Sequence, residues 1–190
     1  MNFLSDEELL DTIKDLQTKG YDRIQLPGGT SKDGSYCSSG IIPVFNEKNR
    51  KMYFIGVPYN SKYHENGEQN GHTKKYGETI KTTLLREIFE ETGLSIDEDD
   101  LVYLEKSHKV VTDRYDKTKE HHKHYFVVPK FTGHLHDFKG PNPIDGETAA
   151  PLLIPVKMFN NVLFTGHMTP LQDSINVISG IKTEYAFALM

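Results

Sequence analysis

Residues 76–96, YGETIKTTLLREIFEETGLSI, combine the spacing of an amphipathic helix with a dense cluster of negative charge. On a helix over about residues 79–92, Glu87, Glu90 and Glu91 lie within an arc of about 100°. Gly93 follows at the position where a left-handed residue ends many helices. A second, apolar face should pack on a sheet, and it consists of Leu84, Leu85, Ile88 and Phe89. The segment therefore predicts a helix with one buried face and one acidic face.

Three glutamates in adjacent helical turns can form either a solvated stripe or a cation site. Like charges at this spacing repel each other, and carboxylates near a helix C-terminus oppose the helix dipole. A divalent cation would remove that repulsion. Converging carboxylate oxygens are the ligands that Mg²⁺ and Mn²⁺ prefer. The alternative interpretation is an ordinary solvated acidic face.

The same residues resemble the Nudix box, which reads G, five residues, E, seven residues, then R-E-U-x-E-E-x-G-U, where U is a bulky aliphatic residue. The chain matches this pattern from Glu78 onward, with seven intervening residues followed by REIFEETGL at residues 86–94. The first glycine differs, because its position holds His72 and the nearest glycine is Gly71. An LPGG sequence at residues 26–29 is similar to the family's proline-glycine-glycine lead-in. It lies about fifty residues too early, so we interpret it as a plain turn.

The resemblance implies a fold, a cofactor and an activity. The expected fold class is α/β, a Nudix-type α/β/α sandwich with a mixed β-sheet in which the box forms a loop-helix-loop. The expected activity is Mg²⁺- or Mn²⁺-dependent hydrolysis of a phosphoanhydride in a nucleoside diphosphate linked to another moiety. A nucleotide sugar and a nucleoside triphosphate are both substrates of this kind.

The resemblance also implies roles for individual residues. Glu87, Glu90 and Glu91 would hold the metal, and Arg86 would orient a box glutamate. Glu78 would support this network, and Gly93 would end the helix.

The general base stays open between the box itself and a later loop. Glu147, in the sequence PIDGETAAP, is the first candidate from a later loop, and Glu120 is the second. For both residues the alternative interpretation is a solvated loop carboxylate.

Five histidines follow the box and raise the question of a zinc site: His121, His122, His124, His134 and His136. Alternation along a strand places His122 and His124 on one side and His121 on the other. The sequence offers no second cysteine and no helical H-x-x-x-H to complete a zinc set. We therefore favour surface positions or contacts with substrate over metal binding.

Periodicity and turn residues predict the other elements. Ser5 and Glu8 form a capping box that starts a helix over residues 6–18. Residues 27–40 and 58–76 are polar or rich in glycine and predict loops. The remaining predictions are strands at 41–45, 51–57, 101–111 and 122–131, mixed structure at 152–163, and a helix at 170–180.

Length and composition narrow the class of protein and its partners. A chain of 190 residues fits a single domain over 1–190, with residues 1–40 as a helix and loop extension and 41–190 as the core. The net charge of −5 provides no global attraction to nucleic acid or to an anionic membrane. The single Cys37, the lack of a signal-peptide pattern and the lack of a long apolar run predict a cytoplasmic protein without a membrane segment. The expected partner is a small-molecule nucleoside diphosphate derivative, and a homodimer stays open.

Two other functions remain open. A Nudix-fold module can bind a nucleotide or a protein without catalysis, and His72 is the departure from the box that favours this reading. Hydrolysis at the 5′ end of RNA is the second alternative, although the acidic balance of the chain argues against it.

Overall fold

A computed structural model of the chain describes residues 1–31, 35–62, 78–112, 116–163 and 165–181. The box position held by His72, together with Gly71, lies outside these described residues. Most of the loop predicted at 58–76 also lies outside them, although Pro58 and Tyr59 belong to a strand.

The described residues contain four α-helices: α1 (Asp6–Thr18), α2 (Ile80–Thr92), α3 (Phe159–Val162) and α4 (Met168–Ile181). Helix α1 begins with the predicted capping box, since the Glu8 N–H donates to Ser5 Oγ and Glu8 Oε2 accepts from the Ser5 N–H. Helix α2 carries the acidic segment and ends at Gly93, whose φ of 81° is left-handed as predicted. Helix α4 begins two residues before the predicted start.

The strands are β1 (Arg23–Gln25), β2 (Gly28–Thr30), β3 (Tyr36–Ile41), β4 (Pro43–Asn46), β5 (Lys51–Tyr59), β6 (Leu94–Ser95), β7 (Val102–Tyr103), β8 (Lys109–Thr112), β9 (Glu120–Val127), β10 (Thr132–Gly133) and β11 (Leu152–Pro155). One sheet has the order β1-β5-β11, with β4 also paired to β5. A second sheet has the order β2-β3-β9-β7, with β8 paired to β9. Strands β3 and β9 run parallel while the other pairings are antiparallel, so the second sheet is mixed.

Helices cover the two sides of the sheets. Leu84 and Ile88 of α2 pack in one core cluster with Phe126 and Val128. A second cluster, on the other side, joins α1 and α4 to the sheets through Leu9, Ile13, Leu171, Ile178 and Val127. This arrangement is the α/β/α sandwich that the resemblance implied.

The loop predicted at residues 27–40 is wrong, because β2 and β3 occupy most of it. The glycine and serine content that suggested a loop has a packing cause instead. A Cβ added to Gly40 would lie 2.7 Å from Ile88 Cδ1, so the glycine lets the Ile88 side chain of α2 pack directly on β3. Ser38, on the same strand, is fully buried.

Other predicted elements are present with changed boundaries. The predicted hairpin is formed by β4 and β5, in which Val44 pairs with Tyr53. The strand predicted at 101–111 is wrong as a continuous element, because a 3-10 turn at Glu105–Ser107 separates β7 from β8. Residues 152–163 do contain both strand and helix, as β11 and α3. No helix within the described part of the chain combines the length and the apolar character needed to cross a membrane.

Candidate functional site

Arg86 is the centre of an ion-pair network on α2. Its Nε lies 3.0 Å from Glu78 Oε1, and its Nη1 lies 3.0 Å from Glu87 Oε1 and 3.1 Å from Glu90 Oε2. Burial disfavours the charged guanidinium, but the hydrogen bond to Glu78 and the charges of Glu87 and Glu90 outweigh it and raise the pKa of Arg86. Arg86 therefore stays charged and ties the start of the acidic segment to its last turn.

Glu87 and Glu91 are buried, with 3% and 7% of their surface exposed. Burial, followed by the charge of Glu87, raises the pKa of Glu91 well above its usual range, and a hydrogen bond from the Gly28 N–H opposes the shift. That bond, at 2.9 Å, joins β2 to the last turn of α2. A second charged carboxylate beside Glu91 is costly in such a place unless a cation compensates it.

A loop over residues 142–148, in which Asn142, Glu147 and Thr148 are buried, adds two more acids to this region. The charges of Asp145 and Glu147 both contribute to the raised pKa of Glu91. Asn142 Nδ2 donates to the Glu90 carbonyl at 2.9 Å and so fixes the loop against α2. The N–H groups of Glu147 and Thr148 donate to Asp145 Oδ1, which closes the loop on itself.

The two candidates for a later-loop base lie in very different surroundings. Glu147 is fully buried, so its interpretation as a solvated carboxylate on a flexible segment is wrong. Its backbone carbonyl accepts the Asn60 N–H at 3.0 Å, at the end of β5. Glu120 is exposed at the start of β9, opposite Thr112.

The plain-turn interpretation of LPGG at residues 26–29 is also wrong, because Gly28 and Gly29 belong to β2 beside the acidic helix. A Cβ added to Gly29 would lie 2.4 Å from Glu87 Cγ and 2.9 Å from Glu87 Oε1. One added to Gly28 would lie 2.0 Å from the Ser38 carbonyl oxygen. The two glycines therefore allow β2 to approach both β3 and the carboxylate of Glu87.

Several residues at this site were not identified from the sequence. Asp145 and Asn142 lie in the same Pro/Gly-rich loop as Glu147, and the Asx-turn pattern around Asp145 was the available signal. Tyr59 lies close enough for the charges of Glu147 and Glu91 to add to the effect of burial and raise its pKa. His136 lies beside the end of α2, where its N–H donates to the Thr92 carbonyl at 3.0 Å. His122 and His124 share one face of β9 and His121 the other, as predicted.

The acids of this region could supply oxygen ligands to a divalent cation. Glu87, Glu90 and Glu91 are carboxylates on one helix, and the charges of Asp145 and Glu147 reach Glu91 from the loop over residues 142–148. Oxygen-only sites with several carboxylates suit Mg²⁺ or Mn²⁺ rather than softer ions. The buried positions of Glu87 and Glu91 agree with this chemistry, since a bound cation would stabilise both charges.

The model of the NUDIX domain matches residues 38–160, more than half of the 190-residue chain. The chain belongs to the Nudix family. In general, Nudix proteins hydrolyse pyrophosphate bonds and use divalent metals. The matched range begins after Gly28 and Gly29, so the glycines beside Glu87 come from outside it.

Solved Nudix structures are similar to this chain at low sequence identity. A MutT/nudix family protein from Enterococcus faecalis is 13% identical with a TM-score of 0.48, over 94% of this chain and 76% of that one. An Ap4A hydrolase binary complex from C. elegans is 14% identical with a TM-score of 0.48, over 77% and 98%. The NUDIX domain of Shewanella oneidensis NrtR, complexed with ADP ribose, is 8% identical with a TM-score of 0.48, over 75% and 86%. No curated protein matches the chain by sequence.

Substituting Gly29 by alanine tests the contact between β2 and the box. The added Cβ would overlap Glu87 and displace its carboxylate. We expect Gly29→Ala to lower turnover roughly tenfold to a hundredfold, because a displacement of about 1 Å at a reacting site has effects of this size. Gly180→Ala is the control, since a Cβ at that helical position meets nothing within 4 Å. Equal turnover in both variants would show that Gly29 does not position Glu87.

Proposed function

We propose that this Nudix protein hydrolyses a phosphoanhydride in a nucleoside diphosphate linked to another moiety, such as a nucleotide sugar or a nucleoside triphosphate, with Mg²⁺ or Mn²⁺ as cofactor. The observation that supports the proposal is the burial of Glu87 and Glu91 at a place where the charge of Glu147, from a different part of the chain, also acts on Glu91. A diphosphate is itself anionic, so carboxylates repel it when they are in direct contact. They can help to bind it only by holding cations that contact the phosphate oxygens.

In this proposal Glu87, Glu90 and Glu91 hold the metal. The bound cation would polarise the phosphoryl oxygens, lower the pKa of a water molecule and neutralise the leaving phosphate. Arg86 fixes the carboxylates of Glu87 and Glu90 at 3.0 and 3.1 Å, and Glu78 in turn fixes Arg86. Phosphoryl transfer depends mainly on such positioning and on charge neutralisation.

Glu147 is the residue that we propose as the general base. It would accept the proton of the attacking water while the electron pair of the water oxygen forms the new bond to phosphorus. The P–O bond of the anhydride would break in the same substitution, and its electron pair would leave on the oxygen of the departing phosphate group. Its burial beside Glu91 and Tyr59 supports the assignment, because a base protected from bulk water keeps the proton within the site. Glu90 has 24% of its side chain exposed and is the box residue that competes for this role.

A panel of nucleotide substrates tests the proposal. Nucleoside triphosphates, nucleotide sugars, ADP-ribose and dinucleoside polyphosphates would be incubated with the full chain in Mg²⁺ and in Mn²⁺. We expect metal-dependent turnover of at least one substrate, and a loss of that turnover in Glu90→Gln. Glu47→Gln, at an exposed position in the β4–β5 turn, is the control. Turnover that survives Glu90→Gln or that needs no metal would overturn the proposal.

The same panel separates the two alternatives. Binding of a nucleotide without metal and without turnover of any substrate would identify a catalytically silent binding module. Hydrolysis confined to short RNAs with a 5′-triphosphate or a cap would identify an RNA 5′-end pyrophosphohydrolase. A cytoplasmic location and a homodimer stay predictions from the sequence.

A further inference from the structure

Three histidines outside the acidic site form a cluster on the second sheet. His108 follows the 3-10 turn at Glu105–Ser107, and His122 and His124 lie on β9. One potential ligand atom from each residue lies within 4.8 Å of the other two. His108, which the sequence pattern did not connect with the other histidines, supplies a third potential ligand beside His122 and His124.

Two of the three rings already hold a nitrogen of each close together. His108 Nε2 lies 3.0 Å from His122 Nδ1, so a single proton is shared between two nitrogen lone pairs. Two nitrogens bound to one tetrahedral Zn²⁺ at about 2.0–2.1 Å are about 3.3 Å apart. Replacing the shared proton by a metal ion therefore requires a small separation of the two nitrogens and a tilt of the rings, so that both lone pairs point at the metal.

His124 completes the cluster from the neighbouring position on the same face. Its Nδ1 lies 3.1 Å from Tyr103 Oη, and when Nδ1–H donates to that oxygen the lone pair lies on Nε2. Histidine ligands of metals are typically oriented by such a hydrogen bond from their other nitrogen. Its ring is stacked 4.8 Å from that of His108 at an interplanar angle of 10°, so it must turn to aim Nε2 at the metal.

The charge around the cluster favours a cation over a phosphate. The nearby Lys109 and Lys123 are paired in register and project from the opposite face of the sheet. Their charges there help to lower the pKa of His167. An anion site would instead place such lysines beside the histidines.

We propose that His108, His122 and His124 form a binding site for a divalent transition-metal ion such as Zn²⁺, with one coordination position open to water or to a ligand. Imidazole nitrogens suit Zn²⁺, Cu²⁺ and Ni²⁺, whereas the carboxylates of α2 suit Mg²⁺ and Mn²⁺. The protein would thus bind two kinds of metal at two chemically distinct sites.

The two sites face the same side of the second sheet. Tyr36 pairs in register with His122, and its ring centroid lies 6.4 Å from that of His124. Its hydroxyl lies 3.3 Å from Thr83 Oγ1, which donates to Glu78 Oε2 at 3.2 Å. The histidine cluster is therefore one buried tyrosine away from the ion-pair network of Arg86.

Calorimetric titration of the full chain with ZnCl₂ in excess Mg²⁺ tests the proposal independently of any hydrolase activity. We expect one Zn²⁺ per chain, with affinity lowered by at least about tenfold in His122→Gln and in His108→Gln. His121→Gln is the matched control, because it changes the adjacent residue on the opposite face of β9. Thermal unfolding of each variant, measured by circular dichroism, confirms that it is folded.

Two results would overturn the proposal. One is the absence of Zn²⁺ binding to the unmodified chain. The other is binding that is lost in Glu91→Gln but kept in His108→Gln and His122→Gln, which would place the ion among the carboxylates of α2. Co²⁺ in place of Zn²⁺ adds a second readout, since nitrogen ligation in a tetrahedral site produces strong visible absorption.

Discussion

Replacing Glu91 by glutamine is expected to abolish most turnover while making the metal-free protein more stable. Glutamine keeps an oxygen that can accept the Gly28 N–H, so the bond between β2 and α2 is preserved. Only the charge is lost. Loss of one carboxylate ligand should lower turnover by at least about a hundredfold, which corresponds to about 2.7 kcal/mol.

The gain in stability follows from the surroundings of Glu91. Burial and the charge of Glu87 raise its pKa, so the folded state disfavours the ionised carboxylate. A raised folded-state pKa means that stability is full below the ordinary carboxyl pKa and falls as pH increases through the raised value. Glu91→Gln removes this loss, and each kcal/mol recovered should raise the unfolding midpoint of a chain of this size by about 2–4 °C.

Turnover assays and thermal unfolding with and without Mg²⁺ check both effects. The stability gain should be larger at about pH 8 than at about pH 5, and Mg²⁺ should stabilise the unmodified protein more than the variant. Glu47→Gln is the control, because its side chain is exposed. A variant with normal turnover, or one less stable than the unmodified protein without metal, would contradict the assignment of Glu91 to the metal site.

Local patterns explain why α1 and the acidic helix α2 could be predicted closely. Ser5, Glu8 and Gly93 act within one or two helical turns, and the apolar spacing of α2 is visible in a short window of sequence. Such signals depend on neighbours along the chain rather than on the fold. The helices predicted from them lie within about two residues of their observed boundaries.

The rest of the site could not be predicted because its contacts are not local. Gly28 meets Glu91 across 63 residues, and Asn142 meets Glu90 across 52. The box pattern suggested that a glycine lead-in must come directly before the helix. In the structure the pairing of β2 with β3 brings Gly28 and Gly29 to the helix instead, from a part of the chain with no adjacent signal.

The histidine cluster could be predicted only in part, again because one of its contacts is not local. Alternation along β9 correctly separated His122 and His124 from His121. His108 joins them because β8 pairs with β9, and this pairing depends on the break at the 3-10 turn. A continuous strand over 101–111, as predicted, would have given no reason to connect His108 with the other two.

The second large effect is expected from Arg86→Gln, which should destabilise the protein by about 3–5 kcal/mol. Arg86 contacts Glu78, Glu87 and Glu90, and only 16% of its side chain is exposed. Glutamine removes the positive charge and leaves three carboxylates close together. Arg86→Lys should recover only part of the loss, because one ammonium group cannot reproduce the planar contacts to all three acids.

Denaturant unfolding of each variant, with and without Mg²⁺, measures this effect. The decrease in the free energy of unfolding should be largest without metal, since Mg²⁺ held by the glutamates of α2 would replace part of the missing positive charge. Lys130→Gln is the control, because its ion pair with Asp100 at 3.3 Å involves a lysine that is 74% exposed and should contribute at most about 1 kcal/mol. If Arg86→Gln costs no more than this control, the carboxylates of α2 do not depend on Arg86 for charge balance. A double-mutant cycle with Glu78→Gln then measures the coupling directly, and a value near zero would show that the contact between Glu78 and Arg86 does not stabilise the site.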